Sequence, residues 1–465
     1  MIVSFSVANC RSFSAEETFS LVASDRKSGV HESHAIKIPG SRECVLKAGV
    51  IYGANGAGKS NLFKALRFLK TRALIGRNKG SGTGREAFAF SNDNKVLSSF
   101  DLQFITSGKL YRFGFKLNDT QVAEEWLVQI NGSKEKVIYE RVTSEDGSVK
   151  IEAPGLKGKK LGAITTIGAH QNQTFLATIN NTLDESDFGS HLGSVLNWLK
   201  NDLVMIAPND FFKGLAHHST EDSDFLKFAG DYLRASSTGV DRLDVEKKEI
   251  TEEELSRLLP KEMRERLLED LNSSENDLAL MRLADGNELL LEKSTENHYY
   301  RITIKTLHEH NSGEAVPLKL TQESDGTRRL LNLLPALHHL RTSSAVYFID
   351  EIDRSMHPIL VWKFLQFFLK SCEGGQRQII VTTHESNLLD LELLRRDEIW
   401  FAEKDTTGST RLYTLSDFRV RKDLEIRKHY LQGRFGAIPF LGNIDRLLEA
   451  KGNCDELNTA TIKTA

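Results

Sequence analysis

Gly53-Ala54-Asn55-Gly56-Ala57-Gly58-Lys59-Ser60 reads G-x-x-x-x-G-K-S, a phosphate-binding loop. Glycine at 53, 56 and 58 lets backbone N–H groups turn inward around a phosphate with no Cβ in the way. Lys59 supplies a point charge to the β- and γ-phosphates, and the Ser60 hydroxyl can ligate Mg²⁺. The flanks agree with this reading. Val50-Ile51-Tyr52 is a short apolar strand leading in, and Asn61 to Leu69 carries apolar residues at helical spacing leading out. The positive end of that helix then faces the phosphates. Asn55, Gly56, Ala57, Gly58, Lys59, Ser60 and Asn61 are therefore expected to contact nucleotide, with ATP and Mg²⁺ as cofactors.

A bound nucleotide needs a second set of residues. Ala345-Val346-Tyr347-Phe348-Ile349 and Gln378-Ile379-Ile380-Val381 are continuous apolar runs, as strands buried on both faces of a parallel sheet are. The first ends in Asp350-Glu351, which places both carboxylates at a strand's carboxyl end, where open α/β sheets bind ligands. Asp350 is expected to orient the magnesium shell and Glu351 to polarise the attacking water. The second run ends in Thr382-Thr383-His384, and His384 is expected to reach the γ-phosphate. Between them lies Glu323-Ser324-Asp325-Gly326-Thr327-Arg328-Arg329, ahead of an apolar helix. Ser324 and Gly326 at a helix start make another anion site. The phosphate cradled at 53–60 does not need it, so it is expected to serve the nucleotide of a second subunit.

Lys and Arg number 61 against 64 Asp and Glu, a net charge of −3, so no global electrostatic case for nucleic acid exists. Basic clusters occur at Lys157, Lys159 and Lys160 and at Arg419, Arg421 and Lys422. The four cysteines form no C-x-x-C pair, which argues against a zinc site and suits a reducing interior. With no span-length apolar run and no signal-peptide pattern at the N-terminus, the expected location is cytoplasmic.

The expected organisation is α/β. Residues 1–185 form a first lobe with the phosphate loop and a strand-rich insertion, in which 99–140 reads as an antiparallel meander. Gly76 to Gly84 reads as a mobile loop. Residues 186–315 read as a mainly helical insertion, with a capping box at Thr251 and Glu254 and Pro260 opening the next helix. Residues 316–450 form a second lobe, and 451–465 a disordered tail.

This order of motifs resembles the ABC-type ATPase superfamily, whose heads sandwich two ATP molecules between two subunits. Within it the chain resembles the overcoming-lysogenization-defect (OLD) type ATPases of bacterial phage defence, and is most similar to the AriA ATPases of PARIS systems. Asn9, Arg11 and Ser12 match an opening-strand pattern that flanks the nucleotide in that group. Ser324 and Gly326 match its shortened signature, which departs from the transporter form L-S-G-G-Q. Asp350-Glu351-Ile352-Asp353-Arg354 with His357-Pro358 matches its extended Walker B and D-loop, so Asp353 joins the nucleotide-binding set. Tyr430 to Pro439 matches a tail motif. The resemblance also implies a Q-loop glutamine on magnesium, for which Gln173 is the candidate and Gln171 the rival.

OLD nucleases carry a Toprim nuclease after the ATPase. Here about two dozen residues follow Pro439, too few for a second core. The resemblance thus implies a homo-oligomer, at least a dimer, that holds a separate Toprim-type nuclease silent. Release would follow detection of a phage-encoded trigger protein of the acidic DNA-mimic kind. Septu-like systems, which pair a related ATPase with an HNH nuclease, are the neighbouring reading. An SMC- or RecF-like ATPase that clamps duplex DNA is the alternative from another class.

Overall fold

The computed structural model describes residues 1–24, 31–91, 95–209, 223–273, 278–282, 288–293, 298–309, 314–338, 344–371, 375–418 and 425–438. The tail from 451, the cluster at 419–422 and Pro439 lie outside these residues.

The phosphate-loop strand Ala48–Tyr52 is buried throughout and sits mid-sheet. Leu203–Ile206, Val346–Ile349, Gln378–Thr383, Ala48–Tyr52 and Ile399–Lys404 lie side by side, all parallel. Thr410–Thr414 closes one edge antiparallel. Strands hidden on both faces carry no polar alternation, which is why these runs read as unbroken apolar stretches. Because the strands are parallel, Tyr52, Ile349 and Thr383 end on the same edge of the sheet.

A second sheet of seven antiparallel strands contains the meander. Its order is Val149–Glu152, Lys134–Thr143, Val122–Asn131, Lys109–Leu117, Ser98–Thr106, Ile2–Ala8 and Glu17–Ser20. The helix Lys59–Leu74 is packed between the two sheets. Its Phe63 meets Phe348 of the parallel sheet edge-on at 5.3 Å, and its Phe68 meets Phe100 of the antiparallel one at 5.1 Å. The opposite face of the parallel sheet is covered by the helices Ser223–Ala235, Asp325–His338 and Pro358–Ser371.

Two expectations change. The stretch 186–315 keeps more helix than strand among its described residues, but it is mixed and not wholly an insertion. Leu203–Ile206 belongs to the central sheet, and Arg242–Ile250, Leu278–Arg282, Glu288–Lys293 and Tyr299–Glu309 form a separate antiparallel sheet. Arg242–Ile250 hid its strand character because charged residues fill most of its exposed positions. The helix that opens after Thr251 does carry its capping box, and the next begins at Lys261, just after Pro260. The segment 76–84 is tied down rather than loose. Asn172 donates to the Asn78 carbonyl, Thr83 N–H donates to the Asp119 carbonyl, and Thr83 is fully buried.

Gly114 shows how tightly the antiparallel sheet is packed. A Cβ there would stand 2.5 Å from both the Phe100 carbonyl oxygen and the Trp126 ring. Gly114→Ala is expected to destabilise the protein by about 1–3 kcal/mol through overpacking, read as a lower urea midpoint at unchanged slope.

Candidate nucleotide site

The loop 53–60 is built by close approach. At Gly53 a Cβ would lie 2.4 Å from the Ala402 carbonyl, and at Gly58 it would lie 2.0 Å from the Thr410 hydroxyl. Gly58 also has φ 107, a backbone that only glycine adopts without strain. Gly56 (φ 78) and Asn55 are exposed at the loop's crest. Ala57 and Lys59 are buried.

Lys59 is folded onto its own loop. Its Nζ donates to the carbonyls of Gly53 (2.7 Å) and Ala54 (3.1 Å) and to His384 Nδ1 (3.2 Å). Burial brings its pKa down to about 8, against the opposing pull of Asp353, Asp350 and Glu351. Burial and the neighbouring ammonium also depress His384, so its Nδ1 is an acceptor here.

Asp350 is the point of convergence. Its Oδ1 accepts from Ser60 Oγ at 3.1 Å and from Thr382 Oγ1 at 2.5 Å, and the residue is 2% exposed. Thr382 Oγ1 in turn accepts the Glu351 N–H at 2.8 Å. Glu351 needs that support, because its φ of 48 is left-handed for a non-glycine residue. Buried Arg329, on the helix Asp325–His338, donates from Nη2 to the carbonyls of Asp350 (2.9 Å) and Glu351 (3.2 Å). Sequence reading missed Thr382 and Arg329. The hydroxyl after an apolar strand was visible, but its partners were not.

Asp353 Oδ2 accepts the His384 N–H at 3.3 Å, while its buried Oδ1 has no hydrogen-bond partner. An open glycine crest, a hydroxyl beside a buried carboxylate and an unused acceptor all fit a triphosphate with a divalent cation. Ser60 and Asp350 would hold the cation. Among the described residues no three His, Cys, Asp or Glu side chains converge as a metal cage.

On the other flank, Ser12 Oγ accepts from Asn61 Nδ2 at 2.8 Å and shares a 2.8 Å hydrogen bond with Thr410 Oγ1, which also reaches the Ala57 carbonyl. Arg11 (φ 52) pairs with Glu86 by both backbone and side chain.

Two of the expected residues have their amides engaged by other partners. Asn9 is 3% exposed and its amide is consumed locally, Nδ2 donating to the Val96 carbonyl and Oδ1 accepting the Phe88 N–H. Through Phe88 it holds residues 86–90 in place. Gln173 is engaged away from Ser60 and Asp350 in this structure. Its Oε1 accepts the Arg77 N–H and its Nε2 donates to Thr178 Oγ1, with no contact to Ser60 or Asp350.

Ser324 and Gly326 stand apart from the loop. Ser324 is exposed and its Oγ accepts the Thr327 N–H at 3.1 Å, capping its own helix. Gly326 packs on the D-loop, where a Cβ would sit 2.6 Å from the Ser355 carbonyl. Among the described residues, no hydrogen bond of 324–326 reaches 53–60.

The family model described as "AAA domain, putative AbiEii toxin, Type IV TA system" matches residues 50–390, which span both the phosphate loop and His384. The chain belongs to this family. It is thus an ATPase-type chain with an α/β P-loop fold of the ABC head kind, carrying strand-rich and mixed insertions. No curated protein matches it. Solved structures similar to it include three SMC heads. The head domain from Thermotoga maritima has 12% identity over 89% of this chain and 98% of that one, with a TM-score of 0.36. A head bound to the C-winged helix domain of ScpA has 12% identity over 89% and 97%, with a TM-score of 0.39. A head with an extended coiled coil, bound to the C-terminal domain of ScpA derived from Pyrococcus furiosus, has 11% identity over 89% and 96%, with a TM-score of 0.35. Among the described residues no helix is long and apolar enough to cross a membrane.

Thr382→Val leaves Asp350 without its shortest donor and Glu351 N–H without an acceptor. ATP turnover is expected to fall about tenfold or more and to need more magnesium, whereas Thr382→Ser retains most of it, measured by phosphate release across a magnesium titration. A second expectation concerns pH. Lys59 loses its proton as pH rises through about 8, so ATP affinity in the wild type should decline above that point. Binding there should take up protons, a sign that calorimetry in buffers of different ionisation enthalpy reads directly.

Proposed function

We propose that this chain is an ATP-binding and ATP-hydrolysing subunit whose sites are completed by a second copy, and that closure of the pair gates a separate nuclease effector in defence against phage. The supporting observation is a division within one protomer. Ser60 is hydrogen-bonded to Asp350 and Lys59 to His384, two neighbouring pairs at the loop, while the signature Ser324 caps an exposed helix with no hydrogen bond to either. A helix N-terminus that faces outward and is not used by its own loop suits a neighbour's γ-phosphate.

When bound, ATP supplies the anhydride to be cleaved and magnesium offsets the charge that develops on its phosphates. The chain's own residues do the rest. Lys59 exchanges the Gly53 and Ala54 carbonyls for phosphate oxygens. Ser60 and Asp350 hold the cation. Glu351, fixed by Thr382 and Arg329, orients water and takes its proton. His384, uncharged and beside Lys59, senses the terminal phosphate. Asp353, anchored by the His384 N–H, ties the D-loop to that same point.

The defence reading draws support from the family's description, which places its members among toxin–antitoxin proteins, and from the motif resemblance to OLD-type ATPases. A gated effector asks the ATPase for two states of different partner affinity, since a ligand shifts an equilibrium only through differential contact.

Lys59→Ala is expected to abolish ATP binding. Glu351→Gln is expected to bind ATP while lowering turnover about 100-fold or more, and to accumulate as an ATP-dependent dimer in sedimentation. Adding Ser324→Glu, which places a carboxylate against the neighbour's triphosphate, should abolish that dimer. An equally strong ATP-dependent dimer from the double variant would overturn the shared-site reading. Phage resistance conferred by the chain with its neighbouring genes, lost on Lys59→Ala, tests the defence role; salt-sensitive binding of duplex DNA without any such resistance would oppose it.

A further inference from the structure

The start of the helix Asp325–His338 is tied to the separate antiparallel sheet. Glu323 immediately precedes Ser324, and its side chain is only 6% exposed although Ser324 and Asp325 lie open to solvent. Its carboxylate turns back onto Tyr299–Glu309, the strand that pairs with Arg242–Ile250, Glu288–Lys293 and Ala315–Lys319. His308 Nε2 donates to Glu323 Oε1 at 2.6 Å, and fully buried Thr306 donates from Oγ1 to the same oxygen.

Both donors are themselves fixed. Thr306 lies opposite Leu243 on one side and Leu318 on the other. His308 has Gly239 beside it, where a Cβ would lie 3.5 Å from Nδ1 and φ is +81. Asp241 closes that turn. Its N–H donates to the Leu307 carbonyl at 2.8 Å, its Oδ2 accepts the Glu309 N–H at 2.5 Å, and its carbonyl accepts from Arg234 Nη2 at 2.8 Å. The chain then reaches Glu323 from Ala315–Lys319 through a tight turn, in which Lys319 N–H donates to Gln322 Oε1 at 2.9 Å and Glu323 N–H to the Leu320 carbonyl at 3.2 Å.

This arrangement answers two needs of an exposed anion site. Ser324 stands on the outside of its protomer, so its position is set by the residues on either side of it. A carboxylate one residue away must also be kept off the site, because its charge would repel a triphosphate there. Thr306 and His308 satisfy that carboxylate on the sheet instead.

We propose that Glu323 is the positioning residue of the signature turn, and that the inserted sheet, through Thr306 and His308, sets where Ser324 stands for the triphosphate of a second copy. The inference rests on the shared-site reading above and adds to it the element that controls the seam.

The test uses the full chain in the Glu351→Gln background with two readouts. One is ATP affinity at protein concentrations too low for association, and the other is the dissociation constant of the ATP-dependent dimer in sedimentation. Glu323→Ala is expected to weaken the dimer about tenfold while leaving ATP affinity at the parent value. Glu323→Gln, which keeps the acceptor oxygen and drops the charge, is expected to retain the dimer. Thr306→Val, isosteric and buried, is expected to weaken the dimer in the same direction and to add little to Glu323→Ala, since both changes break one contact. If Glu323→Ala does not fold, the same two readouts on Thr306→Val decide. An undiminished dimer in either variant, additive losses in the double variant, or an equal loss of ATP affinity overturns the proposal and leaves the shared site standing. If the Glu351→Gln parent forms no ATP-dependent dimer, the shared-site reading fails and the proposal with it.

Discussion

The structure depends on one buried carboxylate. Asp350 gathers hydroxyls from Ser60, at the start of the phosphate-loop helix, and from Thr382, at the end of the adjacent strand. A carboxylate almost removed from water must be met by donors or lose its charge, so these contacts are obligatory. They fix the relative height of three strand ends. That height sets where Lys59, Glu351 and His384 stand with respect to one another.

The left-handed backbone at Glu351 follows from the same knot. Such a conformation persists only where its surroundings over-determine it. Thr382 takes its N–H, and Arg329 takes its carbonyl and that of Asp350. Arg329 belongs to the helix whose exposed start carries Ser324 and Gly326. The segment proposed to meet a second copy is therefore joined, through Arg329, to the turn that carries Asp350 and Glu351. Lys59 completes the picture, since its present partners are loop carbonyls that phosphate oxygens can replace.

Gln173 and Asn9 show how a side chain picked out by a motif can also act as a brace. Both lie near the expected places in the chain, and both have amides with every useful partner supplied by nearby backbone or by Thr178. An amide that bridges two chain segments is worth more as a brace than as a ligand, because removing it would strand buried donors.

The sequence alone determined the phosphate loop and the buried parallel strands, because those signals are local: glycines at fixed spacing, unbroken apolar runs, acids and a histidine at strand ends. It also announced the antiparallel meander through its turns. Within 186–315 it missed the strands: a charged one such as Arg242–Ile250 carries little alternation to read, and Leu203–Ile206 joins a sheet made mostly by distant residues. Only the tertiary structure decided that Thr382 and Arg329 serve Asp350 and Glu351, and that Glu323 turns back onto His308 of the inserted sheet. Those relations join residues 15 to 32 positions apart, and they arise from strand order and close backbone approach, which no local pattern encodes.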